Sequence, residues 1–84
     1  MVIANHVDRH IGRRLRARRI ALGMSPDTLA VALRISVLQV REWEAGKSRA
    51  GASRLMALAK VLCIDPRWFF EDMPGRAWPQ ATMH

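Results

Sequence analysis

One cysteine, Cys63, is all the thiol chemistry this 84-residue sequence has. A lone cysteine excludes an internal disulfide framework and a cysteine-based zinc finger. No apolar run approaches the roughly 18–20 residues that span a bilayer. The opening stretch MVIANHVDRH has neither the apolar core nor the cleavage site of a secretory leader, which argues against secretion. His6, His10 and His84 are scattered without metal-ligand spacing, so no metal site is expected. No Ser/His/Asp set and no paired carboxylates suggest catalysis, so the chain is not expected to be an enzyme or to need a cofactor. Acidic residues are scarce as well, with 7 Asp and Glu against 14 Lys and Arg. What is present is globular composition: half the residues are apolar and a quarter charged. The expectation is one small, basic, cytoplasmic domain.

The net charge of +7 falls entirely on residues 1–54, and residues 55–84 balance to zero. A one-sided field of this kind suits a polyanion, because each phosphate neutralised releases condensed counterions. Arg9, Arg13, Arg14, Arg16, Arg18 and Arg19 are equally compatible with a solubilising helix face. A membrane surface fits less well, since the segment lacks the bulky apolar face of an interfacial helix.

No stretch alternates as a strand would, and neither repeats nor low-complexity segments occur. Instead the sequence predicts an all-α bundle of five short helices over residues 9–75, between a flexible 1–8 and a flexible 76–84. Residues 9–22 form the first, with Ile11, Leu15 and Leu22 on one stripe and Gly23 ending it. Ser25-Pro26-Asp27 opens the second: a cap, a proline where no N–H is missed, and an acid at the positive end of the dipole. Leu29, Ala30 and Leu33 are its buried face. After a break at Arg34-Ile35, Ser36 caps a third helix that reaches Ala45 and stops at Gly46. The stretch 47–52 is a loop. Ser53 is expected to cap the fourth helix, where Leu55, Leu58, Ala59 and Leu62 follow helical spacing. Asp65-Pro66 begins the fifth, which carries Trp68, Phe69 and Phe70. Cys63 is expected in the core, and Trp78 is a further candidate for docking.

The second and third helices are joined by a turn too short for antiparallel packing, so they must cross steeply. With Leu29, Leu33, Ile35, Val40 and Trp43 apolar and small Ala30 at the crossing, this is the pattern of a helix-turn-helix. Generic helical hairpins give similar spacing.

The stretch IGRRLRARRIALGMSPDTLAVALRISVLQVREWEAGK resembles the phage-repressor, Cro-type (xenobiotic-response-element) helix-turn-helix family. The likeness is carried by Ile11-Gly12, Arg14-Leu15-Arg16, Gly23-Met24-Ser25, Leu29-Ala30, Ile35-Ser36, Val40 and Trp43-Glu44 followed by Gly46-Lys47. The stretch SRAGASRLMALAKVLCIDPRWFFEDMPG is similar to a bacterial subgroup with GASRL before the fourth helix and an aromatic-rich fifth. The resemblance covers residues 10–75. It implies a lambda-repressor-like, five-helix DNA-binding domain that is usually dimeric, regulates transcription and has no catalytic activity.

In that family the residues after the third helix's cap, and those one turn on, enter the major groove. They match Ser36, Val37, Leu38, Arg41 and Glu42. Val37 and Leu38 suit thymine methyl groups unless they belong to the core, Arg41 suits guanine and Glu42 a cytosine amino group. Gln39 lies on the flank, where a backbone or water-bridged contact is favoured over reading adenine. The matching phosphate positions are Ser25, Thr28, Lys47, Ser48 and Arg49, with Arg13 on the first helix as a further candidate. Arg19 and Glu44 match a pair that forms an internal ion pair. Three residues depart from the family pattern. Pro26 replaces a phosphate-reaching Gln. Arg34 stands where Gly supplies positive φ, at a cost of ~1 kcal/mol if the turn is kept. Leu38 replaces a Gln common in the subgroup.

Three consecutive aromatics on a short helix cannot all face one core, so Trp68, Phe69, Phe70 and Met73 are candidates for a symmetric dimer contact. The expected function is a homodimeric repressor acting by steric exclusion at an inverted-repeat operator in double-stranded DNA. The alternative is an antitoxin-like module that uses its aromatic C-terminal region to bind a protein partner.

Overall fold

The computed structural model describes residues 6–73. Among them are four α-helices and one short 3₁₀ helix: α1 (His6–Ala21), α2 (Pro26–Leu33), α3 (Val37–Glu44), α4 (Ala52–Leu62) and the 3₁₀ helix Pro66–Phe70. The fold is all-helical, as the periodicity predicts. The segments 1–5 and 74–84 lie outside the described residues, and with them Trp78 and His84.

One core serves every element. Leu15 of α1, Leu29 of α2, Val40 of α3, Leu58 and Leu62 of α4, and Phe69 of the 3₁₀ helix are completely buried. Each such side chain stabilises the fold by about 1.5–3 kcal/mol relative to exposure. Ala30 and Ala59, small and buried, let neighbouring helices approach closely.

The helix starts follow from the sequence at two places. Ser25 Oγ accepts the Thr28 N–H at 3.0 Å, and Ser36 Oγ accepts the Gln39 N–H at 3.1 Å. Both residues have extended backbone, as N-caps require. The fourth helix differs from expectation. It begins at Ala52 behind an extended Gly51, so Ser53 is already helical and caps nothing.

All four α-helices end in one way. A residue with left-handed φ turns the chain, and the next N–H bonds back to a carbonyl five positions earlier. Gly23 and Gly46 do this with φ of 68° and 72°, and Arg34 and Cys63 with 58° and 59°. Met24, Ile35, Lys47 and Ile64 supply the returning N–H, to Arg19, Ala30, Glu42 and Ala59. Arg34 therefore keeps the turn for which the family uses glycine. Cys63 is a correction: the left-handed cap carries it off the buried stripe of α4, and it is exposed. Leu22 is another, since it lies past the end of α1 and is 42% exposed.

Two further expectations change. The segment 1–8 is not wholly outside the fold, because α1 starts at His6 and Asp8 is 4% exposed. The expected fifth α-helix is the 3₁₀ helix. Asp65 caps the Arg67 N–H at 2.9 Å, and the Trp68 N–H reaches the Asp65 carbonyl only three residues back. Hydrogen bonds from the Arg67 side chain and backbone hold the Asp65 carboxyl below its usual pKa. Two carbonyls at this end of the domain also accept bonds from α1 side chains. Arg14 Nε donates to the Trp68 carbonyl at 2.7 Å, and the His10 Nε2–H reaches the Glu71 carbonyl at 2.8 Å.

Candidate nucleic-acid interface

The helix pair α2–α3 is joined through Arg34, Ile35 and Ser36, and α3 rests on α1 along its length. Val40 and Trp43 face inward and are at most 4% exposed. Where α3 crosses α1, Gly12 leaves no room for a side chain: a Cβ there would collide with the Trp43 carbonyl oxygen and come within 2.8 Å of that of Glu44.

The far end of α3 is bolted by a two-pronged ion pair. Arg19 Nε and Nη2 donate to the Glu44 carboxylate at 2.6 and 3.0 Å, and Nη1 donates to the Met24 carbonyl at 2.8 Å. Both partners' side chains are at least nine-tenths buried. Hydrogen bonding to Glu44 raises the Arg19 pKa despite the opposing effect of burial, so the guanidinium stays charged. The resemblance implied this pair, and the geometry contains it.

With Val40, Trp43 and Glu44 turned inward, α3 presents Leu38, 61% exposed, and Arg41, also exposed, to solvent. Ser36 is exposed at the helix start, and Glu42 is half-buried. Val37 does not project as an apolar reader. It is half-buried and packed against the core. Gln39 is also withdrawn, with its Nε2 donating to Ser48 Oγ at 2.9 Å.

Of the residues matched to phosphate contacts, Lys47, Ser25, Thr28 and Arg13 are exposed and Ser48 is half-buried. The Ser25 and Thr28 hydroxyls are 2.9 Å apart and share the α2 cap. Arg49 is not a free cation. Its Nε and Nη2 lie 3.1 and 3.4 Å from the two carboxylate oxygens of Asp8.

Two residues outside the expected set touch or adjoin these positions. Arg16 lines a shallow groove with Arg41, Glu44 and Ala45. The signal was available, since Arg16 precedes Arg19 as Arg41 precedes Glu44, by three residues along one helix face. Asp8 had no such signal, being 41 residues from its partner.

The aromatic cluster divides. Phe69 is fully buried and is withdrawn as a dimer contact; the core takes one ring of the three. Trp68 is half-buried, with the Arg14 guanidinium 4.0 Å from its ring centroid. Phe70 and Met73 are half-buried.

A helix capped at its start by Ser36 and braced at its far end, its outer face carrying Arg41 and Leu38 and flanked by basic residues, defines the DNA-binding half of a helix-turn-helix. Comparison with known proteins agrees. The helix-turn-helix family model matches residues 15–69. An uncharacterized HTH-type transcriptional regulator of Sinorhizobium medicae (strain WSM419) is 44% identical over 71 residues, 84% of this chain and 51% of that protein. The HTH-type transcriptional regulator DicA of Escherichia coli (strain K12) is 45% identical over 58 residues, 69% of this chain and 43% of DicA. The crystal structure of the restriction-modification controller protein C.AhdI from Aeromonas hydrophila superposes with a TM-score of 0.71 at 33% identity, over 75% of this chain and 96% of that one. The chain belongs to the helix-turn-helix family, Cro/C1 type, a family of non-enzymatic, DNA-binding transcriptional regulators. It spans about half the length of these sequence relatives. No helix among the described residues is long and apolar enough to cross a membrane.

Proposed function

We propose that this chain binds a specific double-stranded DNA operator as a homodimer, with α3 of each protomer in a major groove, and represses transcription by occluding the polymerase. The observation that carries this reading is the outer face of α3. Exposed Leu38 and Arg41 stand beside a Ser36-capped helix start, on a helix whose other face is immobilised by Val40, Trp43 and the Arg19–Glu44 pair. Arg41 is suited to guanine O6 and N7, Leu38 to a thymine methyl group, and half-buried Glu42 to a cytosine amino group at the groove edge. Lys47, Ser25, Thr28 and Arg13 supply phosphate contacts that fix register without reading sequence. A single module of this size covers one half-site. A two-fold dimer covers two, so the operator is an inverted repeat with centres about 10–10.5 base pairs apart or a multiple of that. Phe70, Met73 and the exposed part of Trp68 form the dimer contact. The name of the structural neighbour, a restriction-modification controller, supports a regulatory role of the same kind.

The test is selection of bound sequences from random duplexes, followed by affinity for the selected site across a salt series. Several phosphate contacts per protomer should give a steep negative log–log slope, each contributing close to one unit. A slope near zero ends the DNA reading. Sedimentation decides the dimer: a chain that stays monomeric at micromolar concentration, free and on its operator, ends that part.

A further inference from the structure

The loop between α3 and α4 is tied down at three successive points, and none of the ties is a core contact. Gly46 packs against Arg9 of α1 so closely that a Cβ would come within 2.8 Å of the Arg9 Cα. Ser48 accepts a hydrogen bond from Gln39 of α3. Arg49 is gripped by Asp8 of α1 through two bonds. Asp8 is the unusual partner. Its side chain is only 2% exposed while that of Arg49 is 51% exposed. A buried carboxylate needs a counter-charge, and it draws that charge from a residue still half in solvent. The two bonds to Asp8 use Nε and one N–H of Nη2, and a guanidinium has five N–H donors in a rigid fork. Three donors remain for another anion.

We infer that Asp8 is a positioning residue for DNA-backbone recognition: it orients the Arg49 fork so that the remaining donors meet a phosphate, while Gln39 holds Ser48 in register beside it. The inference rests on the DNA reading above and adds two residues to it. Asp8, an acid, supports binding to a polyanion, and Gln39 acts through the loop rather than on a base. Preorganisation is the physical reason, since a flexible arginine must lose rotamer freedom on binding and one held by a buried carboxylate has already lost it.

The experiment is a double-mutant cycle on the whole chain, read as affinity for a selected duplex and for an unrelated duplex at two salt concentrations. Asp8→Asn removes the charge that grips Arg49 and should weaken binding to both duplexes about tenfold, the scale of one charge-assisted bond. In an Arg49→Ala background the same change should weaken binding less than about twofold, because nothing is left to position. Equal losses in the two backgrounds would mean that Asp8 supports only the fold, and would overturn the proposal. Arg49→Lys keeps the charge but loses the fork. It should weaken binding with the salt slope preserved, and unchanged affinity would also overturn the proposal, even if Asp8→Asn fails to fold. Gln39→Ala should weaken both duplexes alike, whereas a changed base preference would return Gln39 to the base-reading set. If the unmodified chain shows no salt-dependent duplex binding, the DNA reading itself falls. If it binds and the cycle is additive, only the positioning role falls.

Discussion

Arg19 of α1 and Glu44 of α3 meet through two hydrogen bonds of 2.6 and 3.0 Å in a setting where both side chains are nine-tenths buried. The pair ties the C-terminal end of α3 to α1. Removing one partner leaves an uncompensated buried charge, so Arg19→Ala or Glu44→Ala should each cost about 3–5 kcal/mol. Replacing both together, as Arg19→Met with Glu44→Leu, should recover much of the loss because no charge is stranded. Urea denaturation checks both statements, and a loss below ~1 kcal/mol in the single variants would show that the pair is not a brace.

Gly12 offers a test whose sign is informative. Helix propensity alone makes Gly→Ala inside a helix favourable by about 1 kcal/mol. Here the added methyl would run into the Trp43 and Glu44 carbonyls, and carbonyls in a packed helix cannot step aside as a side-chain tip can. Gly12→Ala is therefore expected to destabilise by about 1–3 kcal/mol through overpacking. Thermal melting gives the answer: a raised midpoint would mean that α1 and α3 separate freely at this crossing.

The three aromatics should separate into two kinds. Phe69→Ala opens a cavity at a fully buried position and should cost about 3–5 kcal/mol. Phe70→Ser should leave the fold largely intact and shift the dimer towards monomer. Trp68→Ser should do some of each, since it also frees Arg14 from the ring it covers. Melting measured beside sedimentation distinguishes them. If Phe70→Ser melts as low as Phe69→Ala, the proposed dimer contact is core instead.

Contacts with DNA should divide in the same way. Lys47→Ala is expected to weaken every duplex about equally and to reduce the salt slope by about one unit. Arg41→Ala should relax preference at particular base pairs by ~1–3 kcal/mol. Affinities over a panel of single-base operator variants measure both, and equal relaxation of preference by the two variants would remove α3 from the major groove.

Much of this molecule could be read from its sequence because the determinants are local. Ser25 and Ser36 declare helix starts through bonds to N–H groups three residues on, and Pro26 through its fixed φ at the first helical position. Gly23 and Gly46 declare ends because they accept positive φ. The stripe Leu55, Leu58, Ala59 and Leu62 states which face of α4 is buried. Resemblance added the Arg19–Glu44 pair, which spacing alone could not give.

Other features were decided only when distant segments met. Arg34 and Cys63 end their helices in the left-handed conformation although neither is glycine, and the backbone bonds that return from each cap to the last turn of its helix offset the backbone cost. The same geometry places Cys63 in solvent rather than in the core. His10 and Arg14, more than fifty positions earlier, tie the Glu71 and Trp68 carbonyls at the end of the 3₁₀ helix to α1. Val37 packs against the core and the Gln39 side chain is held by Ser48 of the following loop, contacts that helical spacing in α3 alone does not show. Asp8 and Arg49 find each other across 41 residues. Local sequence thus determined where α2 and α3 begin, which faces are apolar and which family the chain resembles. Tertiary structure decided which charged side chains are already paired, and so which remain for DNA, because pairing depends on distances that only the folded chain sets.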